Sequence, residues 1–434
     1  MKKRIFGSLF AAILTLSATA QTSQSGTISP YSQYGLGTLA DQSQAFSRGM
    51  GGTGIGMRNG TLVNTLNPAS FSAVDSLTML FDVGLSGQFT NFKEQNVSVN
   101  TRSADFDYAV GLFRMRKHLG VSFGILPMSD VGYNYQRTYY VNPSVGNLTE
   151  LYTGSGGLHK AFVGAGWNPV KPLSVGFSLA YLWGNYKRTA TTYAAGSVSS
   201  LNQLSKTYEA TVNSYALDFG LQWQQPIGRK DRLTLGATFG LGHKLGADPK
   251  LDIINQNTST LVSDTTSFTV ADGLELPMSY GVGFSWVHQQ RLTLAADFSQ
   301  QKWGSIDYPN YDESTGRYAL RSGLLKDRTR MSVGLDYVPD PTHPTKYLMH
   351  VHYRFGVAYA SPYFTVNGQD GPKELSITAG LGIPVLNKRE SRSVVNFSAQ
   401  WIRSSAKDLI TENTFRFNVA LTFNQMWFAK WRID

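Results

Sequence analysis

The sequence predicts an all-β fold: a transmembrane antiparallel β-barrel of about 14 strands with an N-terminal hatch plugging the lumen. Three observations predict it. Apolar and polar residues alternate with a period of two from residue 77 to the C-terminus. Long and short connections between these runs alternate without exception, and tryptophans fall at the ends of runs on the apolar parity.

The first run shows the alternation most clearly. Leu77, Met79, Phe81, Val83, Leu85 and Phe89 share one face, and Thr78, Asp82, Ser86 and Gln88 the other. The same pattern recurs in Leu173, Val175, Phe177, Leu179, Tyr181 and Trp183 against Ser174, Gly176, Ser178 and Gly184. Successive side chains of a strand point to opposite faces, so such runs present one face to lipid and one to a lumen. Strands are expected near 77–89, 106–115, 119–127, 158–167, 173–183, 214–224, 233–241, 277–287, 292–299, 331–337, 347–359, 375–383, 394–402 and 415–424. Most are close to the ~9–11 residues that a tilted strand needs to cross the hydrocarbon layer.

The connections at 116–118, 168–172, 225–232, 288–291, 338–346 and 384–393 are short, and those between them are longer. Short periplasmic turns and longer extracellular loops have this asymmetry, whereas a soluble β-sandwich has no reason to keep it. Trp167, Trp183, Trp223, Trp286 and Trp401 lie where an interfacial girdle belongs, since an indole is apolar in body but keeps an N–H to hydrate.

Composition agrees. Charged residues are 16%, below the roughly 25% of soluble domains, while aromatics reach 12% and glycine 43 residues. Lys2, Lys3 and Arg4, an apolar Ile5–Leu16 and Ala18-Thr19-Ala20 read as a signal peptide over 1–20. No later apolar run is long enough for a spanning helix. With no cysteine, neither a lipidated cysteine nor a disulfide framework is expected. The outer membrane of a Gram-negative bacterium is the expected location, with both termini on the periplasmic side. The net charge of +10 is scattered over turns and loops, which argues against nucleic acid. It suits either lipopolysaccharide phosphates at the cell surface or simple solvation of loops and lumen.

Residues 21–76 do not alternate. They include Ser47-Arg48-Gly49-Met50-Gly51-Gly52-Thr53-Gly54-Ile55-Gly56, then Asn64-Thr65-Leu66-Asn67-Pro68-Ala69-Ser70-Phe71. A phosphate loop would need a strand before the glycines and Lys-Ser/Thr after them, and neither occurs. A tightly folded, backbone-dense hatch is expected instead, ahead of a barrel over 77–434.

The glycine-rich run, Asn67-Pro68-Ala69 and the fourteen-strand pattern together resemble the FadL/TodX family of outer-membrane transporters of long-chain fatty acids and aromatic hydrocarbons. Leu276-Pro277 opening a strand and Asp297-Phe298-Ser299-Gln300-Gln301-Lys302-Trp303 closing the next agree. The resemblance implies passive uptake of hydrophobic molecules, a lumenal hatch bearing Asn67, Pro68 and Ala69, and a kinked third strand through which the ligand leaves sideways. The matching irregularity here is Leu126-Pro127-Met128-Ser129-Asp130-Val131-Gly132, because proline removes a ladder donor. Pro127, Met128 and Gly132 are the expected lateral gate, and Met50, Met57 and Phe71 the expected ligand contacts. Two departures stand out: the chain ends Trp431-Arg432-Ile433-Asp434 rather than on an aromatic, and the segment before Asn67 is long.

Catalysis is not expected. No histidine is followed two residues later by serine, and no Gly-x-Ser-x-Gly elbow occurs. His350 and His352 are expected to share the inward face of one strand with Arg354, but no third ligand accompanies them, so no metal or cofactor is expected. Asp82, Asp107, Asp218, Asp297, Asp336 and Arg416 share inward parity and read as charge networks across the lumen. Lipids, hydrophobic small molecules and lipopolysaccharide are the expected partners. Two alternatives stay open: a barrel that holds protein partners at the cell surface, like the PorV-type proteins of type IX secretion, and a general porin.

Overall fold

The structure is a computed structural model that describes residues 29–76, 78–143, 146–195, 202–343, 346–386 and 392–426. The expected signal peptide, Leu77 and the C-terminal Trp431–Asp434 lie outside the described residues.

Fourteen antiparallel strands close into a barrel. They are β1 (Thr78–Glu94), β2 (Val97–Arg116), β3 (Leu119–Asn142), β4 (Gly146–Val170), β5 (Leu173–Ala195), β6 (Gln203–Ile227) and β7 (Asp231–Gly240), followed by β8 (Ser279–His288), β9 (Leu292–Gln301), β10 (Arg328–Tyr337), β11 (His352–Ala360), β12 (Lys373–Leu386), β13 (Arg392–Ser405) and β14 (Thr411–Met426). Each pairs with its neighbours in chain order, and β14 returns to β1 from Thr78↔Met426 to Lys93↔Thr411. Closure leaves no strand edge along that seam, which is what a bilayer demands of every backbone N–H and C=O.

Parity follows the expected faces. Leu85, Phe177, Phe284 and Phe417 are about half exposed on the outside, whereas Asp82, Gln222 and Thr378 are buried on the inside. All fourteen expected positions carry a barrel strand. The bounds differ most for β3, β4, β5 and β6, which run 24, 25, 23 and 25 residues while β7 to β10 have 10 each. The stretches 128–157 and 184–213, expected as loops, are therefore mostly tall hairpins. Above the bilayer neither face of a strand touches lipid, so the apolar parity that marks a spanning strand fades there. A further hairpin, Lys250–Gln256 with Ser263–Thr269, pairs onto the upper part of β6.

One expected strand start also moves. Tyr347–His350 form a 3-10 turn, and β11 begins at His352. At the long-loop end, loop residues pack with the start of the described chain into an apolar core that includes Tyr31, Leu36, Tyr133, Leu182, Trp303 and Phe364.

Candidate functional site

The third strand is irregular at Pro127-Met128. Pro127 pairs with His159 and Ser129 with Leu158 on β4, so Met128 is an extra, bulged residue. On the other side, β3 pairs with β2 only from Arg116↔Leu119 to Ala109↔Ile125. Beyond that point β2 has only β1 as its barrel partner, and β3 has only β4. The wall is split between Val97–Tyr108 and Leu126–Asn142.

The N-terminal segment bridges the β3 side of this split. Thr38 and Leu39 form a short antiparallel strand against Asp130 and Ser129. The Ala40 N–H donates to the Met128 carbonyl at 3.0 Å, and Gln42 Nε2 donates to the Pro127 carbonyl at 2.7 Å. The Ser29 N–H donates to the Gly132 carbonyl at 3.3 Å, and the Gly132 N–H donates to Ser32 Oγ at 3.2 Å. Pro127, Met128 and Gly132 thus share one edge of β3, and residues 29–42 supply hydrogen bonds that β2 would otherwise make.

A second bulge faces it. Gly84 pairs with Tyr108 and Leu85 with Phe106, which leaves Asp107 as the extra residue of β2. Asp107 points inward, where Arg48 Nη1 reaches its Oδ2 at 2.6 Å and Ser86 Oγ donates to its Oδ1 at 2.9 Å. Arg48 belongs to a one-turn helix, Ala45–Arg48, whose first N–H donates to the Tyr108 hydroxyl at 2.7 Å. Nearby, burial raises the Asp41 carboxyl, but Arg48, Arg330 and bonds from Ser43 outweigh it and hold it at about 2.

The glycine-rich run is fastened by wall side chains. Asp297 Oδ2 accepts from the N–H groups of Gly54 and Ile55 at 2.6 and 2.9 Å. Arg330 Nη2 donates to the Gly51 carbonyl at 2.9 Å, and Gln222 Nε2 to the Met57 carbonyl at 3.0 Å. Asn67-Pro68-Ala69 opens a 3-10 turn: Asn67 Oδ1 accepts from the Ala69 N–H at 3.0 Å, and Asn67 Nδ2 donates to the Ile55 carbonyl at 2.8 Å. This turn lies directly on the backbone of β5 and β6. A Cβ at Gly176 would collide with Pro68, and one at Gly220 with Asn67.

Met50, Met57 and Phe71 are buried in the packing between this segment and the wall, Met50 beside Gly334 and Phe71 beside Gly164 and Gly166. None of them lines the lumenal cavity of about 370 Å³, whose lining includes Leu39, Asp41, Met128, Lys160, Arg328 and Arg416. Sequence reasoning missed Thr38, Leu39 and Gln42, which carry no distinctive pattern. It also passed over Arg48, although a cation inside a glycine run signals a buried partner. His350 lies in the 3-10 turn against the His343 carbonyl at 2.8 Å, away from the strand face that His352 occupies. His352 instead meets Asp336 at 2.9 Å. Among the described residues no group of three metal-type ligands gathers. Ser29, expected to lead from a periplasmic N-terminus, donates to Glu412 near the long-loop end of β14; the residues before it lie outside those described.

Along residues 1–434 the sequence matches the BamG family. The chain belongs to the BamG family. No curated protein matches it in sequence. Among solved structures, this BamG-family chain is similar to the toluene transporter TbuX of Ralstonia pickettii, with TM-score 0.58, 15% identity and coverage of 88% of this chain and 97% of that one. It is similar also to the toluene transporter TodX of P. putida, at TM-score 0.59, 14% identity and coverage of 90% and 100%. A Pseudomonas aeruginosa FadL homologue gives TM-score 0.60 at 10% identity, with 90% and 99% covered. At these identities the likeness establishes the barrel architecture. The FadL/TodX resemblance therefore holds for the fold, while the matching family carries a different name.

Proposed function

We propose that this chain is a plugged outer-membrane conduit for passive uptake of hydrophobic or amphipathic small molecules, of the fatty-acid or aromatic-hydrocarbon class. Residues 21–76 are its hatch, the long-loop end faces the outside, and the split between β2 and β3 is its side exit. The reading rests chiefly on one observation: β2–β3 pairing stops at Ala109↔Ile125, and the edge beyond is held by Thr38 and Leu39 of the N-terminal segment. An apolar ligand crosses the polar lipopolysaccharide layer slowly, so a path that keeps it out of water lowers that barrier. Pro127, Met128 and Gly132 form the movable rim. Leu39 and Met128 are better placed to touch a ligand than Met50, Met57 or Phe71, because they line the cavity.

The chain contains no cysteine, so a staple tests the reading cleanly. A Leu39→Cys/Ser129→Cys disulfide would lock the hatch strand to β3. Uptake of a labelled long-chain fatty acid or toluene into proteoliposomes should stop on oxidation and return on reduction. Filling the notch with Pro127→Val and Gly132→Val should also lower uptake in a folded barrel. Undiminished uptake in both variants would overturn the reading.

A second reading, a barrel that holds protein partners at the cell surface, is favoured by the tall sheet of β3 to β6 with its added hairpin. Stoichiometric co-purification of a surface protein that is lost when residues 250–269 are deleted would support it.

A further inference from the structure

At the short-turn end of the barrel, exposed cations outnumber carboxylates among the described residues. Arg116 and Lys117 join β2 to β3, Lys171 joins β4 to β5, Arg229 and Lys230 join β6 to β7, and Lys346 precedes β11. All six side chains are exposed. None forms an ion pair among the described residues. Two carboxylates of the same rim are already engaged, Asp231 by His288 at 2.6 Å and Asp340 by Arg291 at 3.4 Å. The long-loop end differs: Lys206 is paired with Glu313, Lys244 with Asp272, Lys302 with Asp327 and Lys326 with Asp370, and its other exposed cations stand among carboxylates such as Glu94, Asp252, Asp264, Asp312 and Asp408.

Position adds to charge. Trp167 precedes Lys171, and Trp223 precedes Arg229 and Lys230, on strands leading into the same turns. Both indoles point outward and are exposed, at 54% and 39%. A tilted strand advances about 2.5 Å along the barrel axis per residue, so the cations lie roughly 10–15 Å beyond the indoles. Indoles mark the edge of the hydrocarbon and the headgroups extend about 5–8 Å beyond it, so these long side chains reach the lipid phosphates by bending back towards the bilayer.

We propose that this rim binds anionic phospholipid headgroups in the leaflet on the short-turn side and fixes the depth of the barrel. Each Lys or Arg near an anionic surface adds attraction that fades within a Debye length, and only unpaired, exposed cations contribute fully. The inference rests on the barrel spanning a bilayer and not on the conduit reading. It places the charge preference at the short-turn end, since the cations of the long-loop end stand among carboxylates.

The test uses the full chain in nanodiscs of equimolar phosphatidylglycerol and phosphatidylcholine, with retained lipid counted by native mass spectrometry after extraction. Phosphatidylglycerol should be retained about fivefold over phosphatidylcholine, and high salt should abolish the preference. Lys171→Glu/Arg229→Glu/Lys230→Glu should remove it, whereas Arg317→Glu/Arg321→Glu at the long-loop end should not. Inorganic phosphate at matched ionic strength should leave it intact. Equal retention of the two lipids overturns the proposal, as does enrichment that survives the rim variant, depends on Arg317 and Arg321, or yields to free phosphate. Should the rim variant fail to fold, the salt dependence of the wild-type enrichment decides alone.

Discussion

Arg48 and Asp107 meet at 2.6 Å where the N-terminal segment touches the bulge of β2, two residues from the point where β2 and β3 part. Both groups are buried. The bulge exists on the same strand position that supplies the carboxylate, so the wall irregularity and the anchoring of the N-terminal segment are one feature. Anything that moves Arg48 acts on the strand that borders the split.

Removing one partner leaves the other charge buried and uncompensated. Asp107→Asn should destabilise the barrel by about 3–5 kcal/mol, less whatever Asp41 and Asn418 recover. Denaturant titration in micelles reads the loss. A shift under about 1 kcal/mol would mean that the pair is solvated in the working protein.

The N-terminal segment is seated on wall backbone that only glycine permits. Gly220→Val would drive its side chain into Asn67 and should cost about 1–3 kcal/mol while displacing the Pro68–Ala73 turn. Gly87→Val, whose Cβ would have no neighbour closer than 3.9 Å, should be tolerated. In planar bilayers the first variant should conduct salt where wild type conducts little, and the second should behave as wild type. An open wild-type lumen would instead favour a general porin.

The barrel was legible because lipid on one face and a filled lumen on the other impose alternation on every spanning residue. Asp82, Asp297 and Asp336 could be assigned inward by parity alone. Asp107 follows Phe106 inward by plain alternation, and the bulge then turns Tyr108, Val110 and Leu112 inward as well, which parity would have placed outside. The break in the ladder at Pro127 was legible through its missing donor. Its partner strand, Thr38-Leu39, was not, since two residues contribute no periodicity. Met50 and Met57 looked like pocket residues because flexible apolar side chains in a polar segment need cover. Their cover turns out to be the wall itself.

A pH response of the N-terminal segment is expected from Asp41. Burial raises its carboxyl, but Arg48 and Arg330 prevail, so its pKa of about 2 lies below the ordinary 3.8. A depressed value means that its contribution is present above about pH 4 and is lost as pH falls towards 2. An Ala45→Cys probe, buried in the turn that carries Arg48, should remain protected from labelling across neutral pH and become reactive only in that acid window. Asp41→Asn should reproduce the acid behaviour at pH 7. Labelling that changes between pH 5 and 8 would place control on another group.

Tyr363 fastens the start of the described chain to the loops. Its hydroxyl donates to the Gly37 carbonyl and, at 3.3 Å, to the Tyr34 carbonyl, while its ring lies 4.9 Å from Trp303. Phe364 stacks on Tyr34 at 5.2 Å. This cluster holds residues 31–37 against the loops, so on the conduit reading proposed above a ligand entering from the long-loop end would displace it. Tyr363→Ala removes both the ring and the hydroxyl and should cost about 3–5 kcal/mol locally. Tyr363→Phe keeps the packing and gives up about 0.5–1.5 kcal/mol per hydrogen bond. In each background a Leu36→Cys probe, buried in wild type, should label faster, and much faster with alanine than with phenylalanine. If uptake quickens in the same order, entry is limited by this cluster; if labelling quickens while uptake stays constant, the slow step lies at the split between β2 and β3.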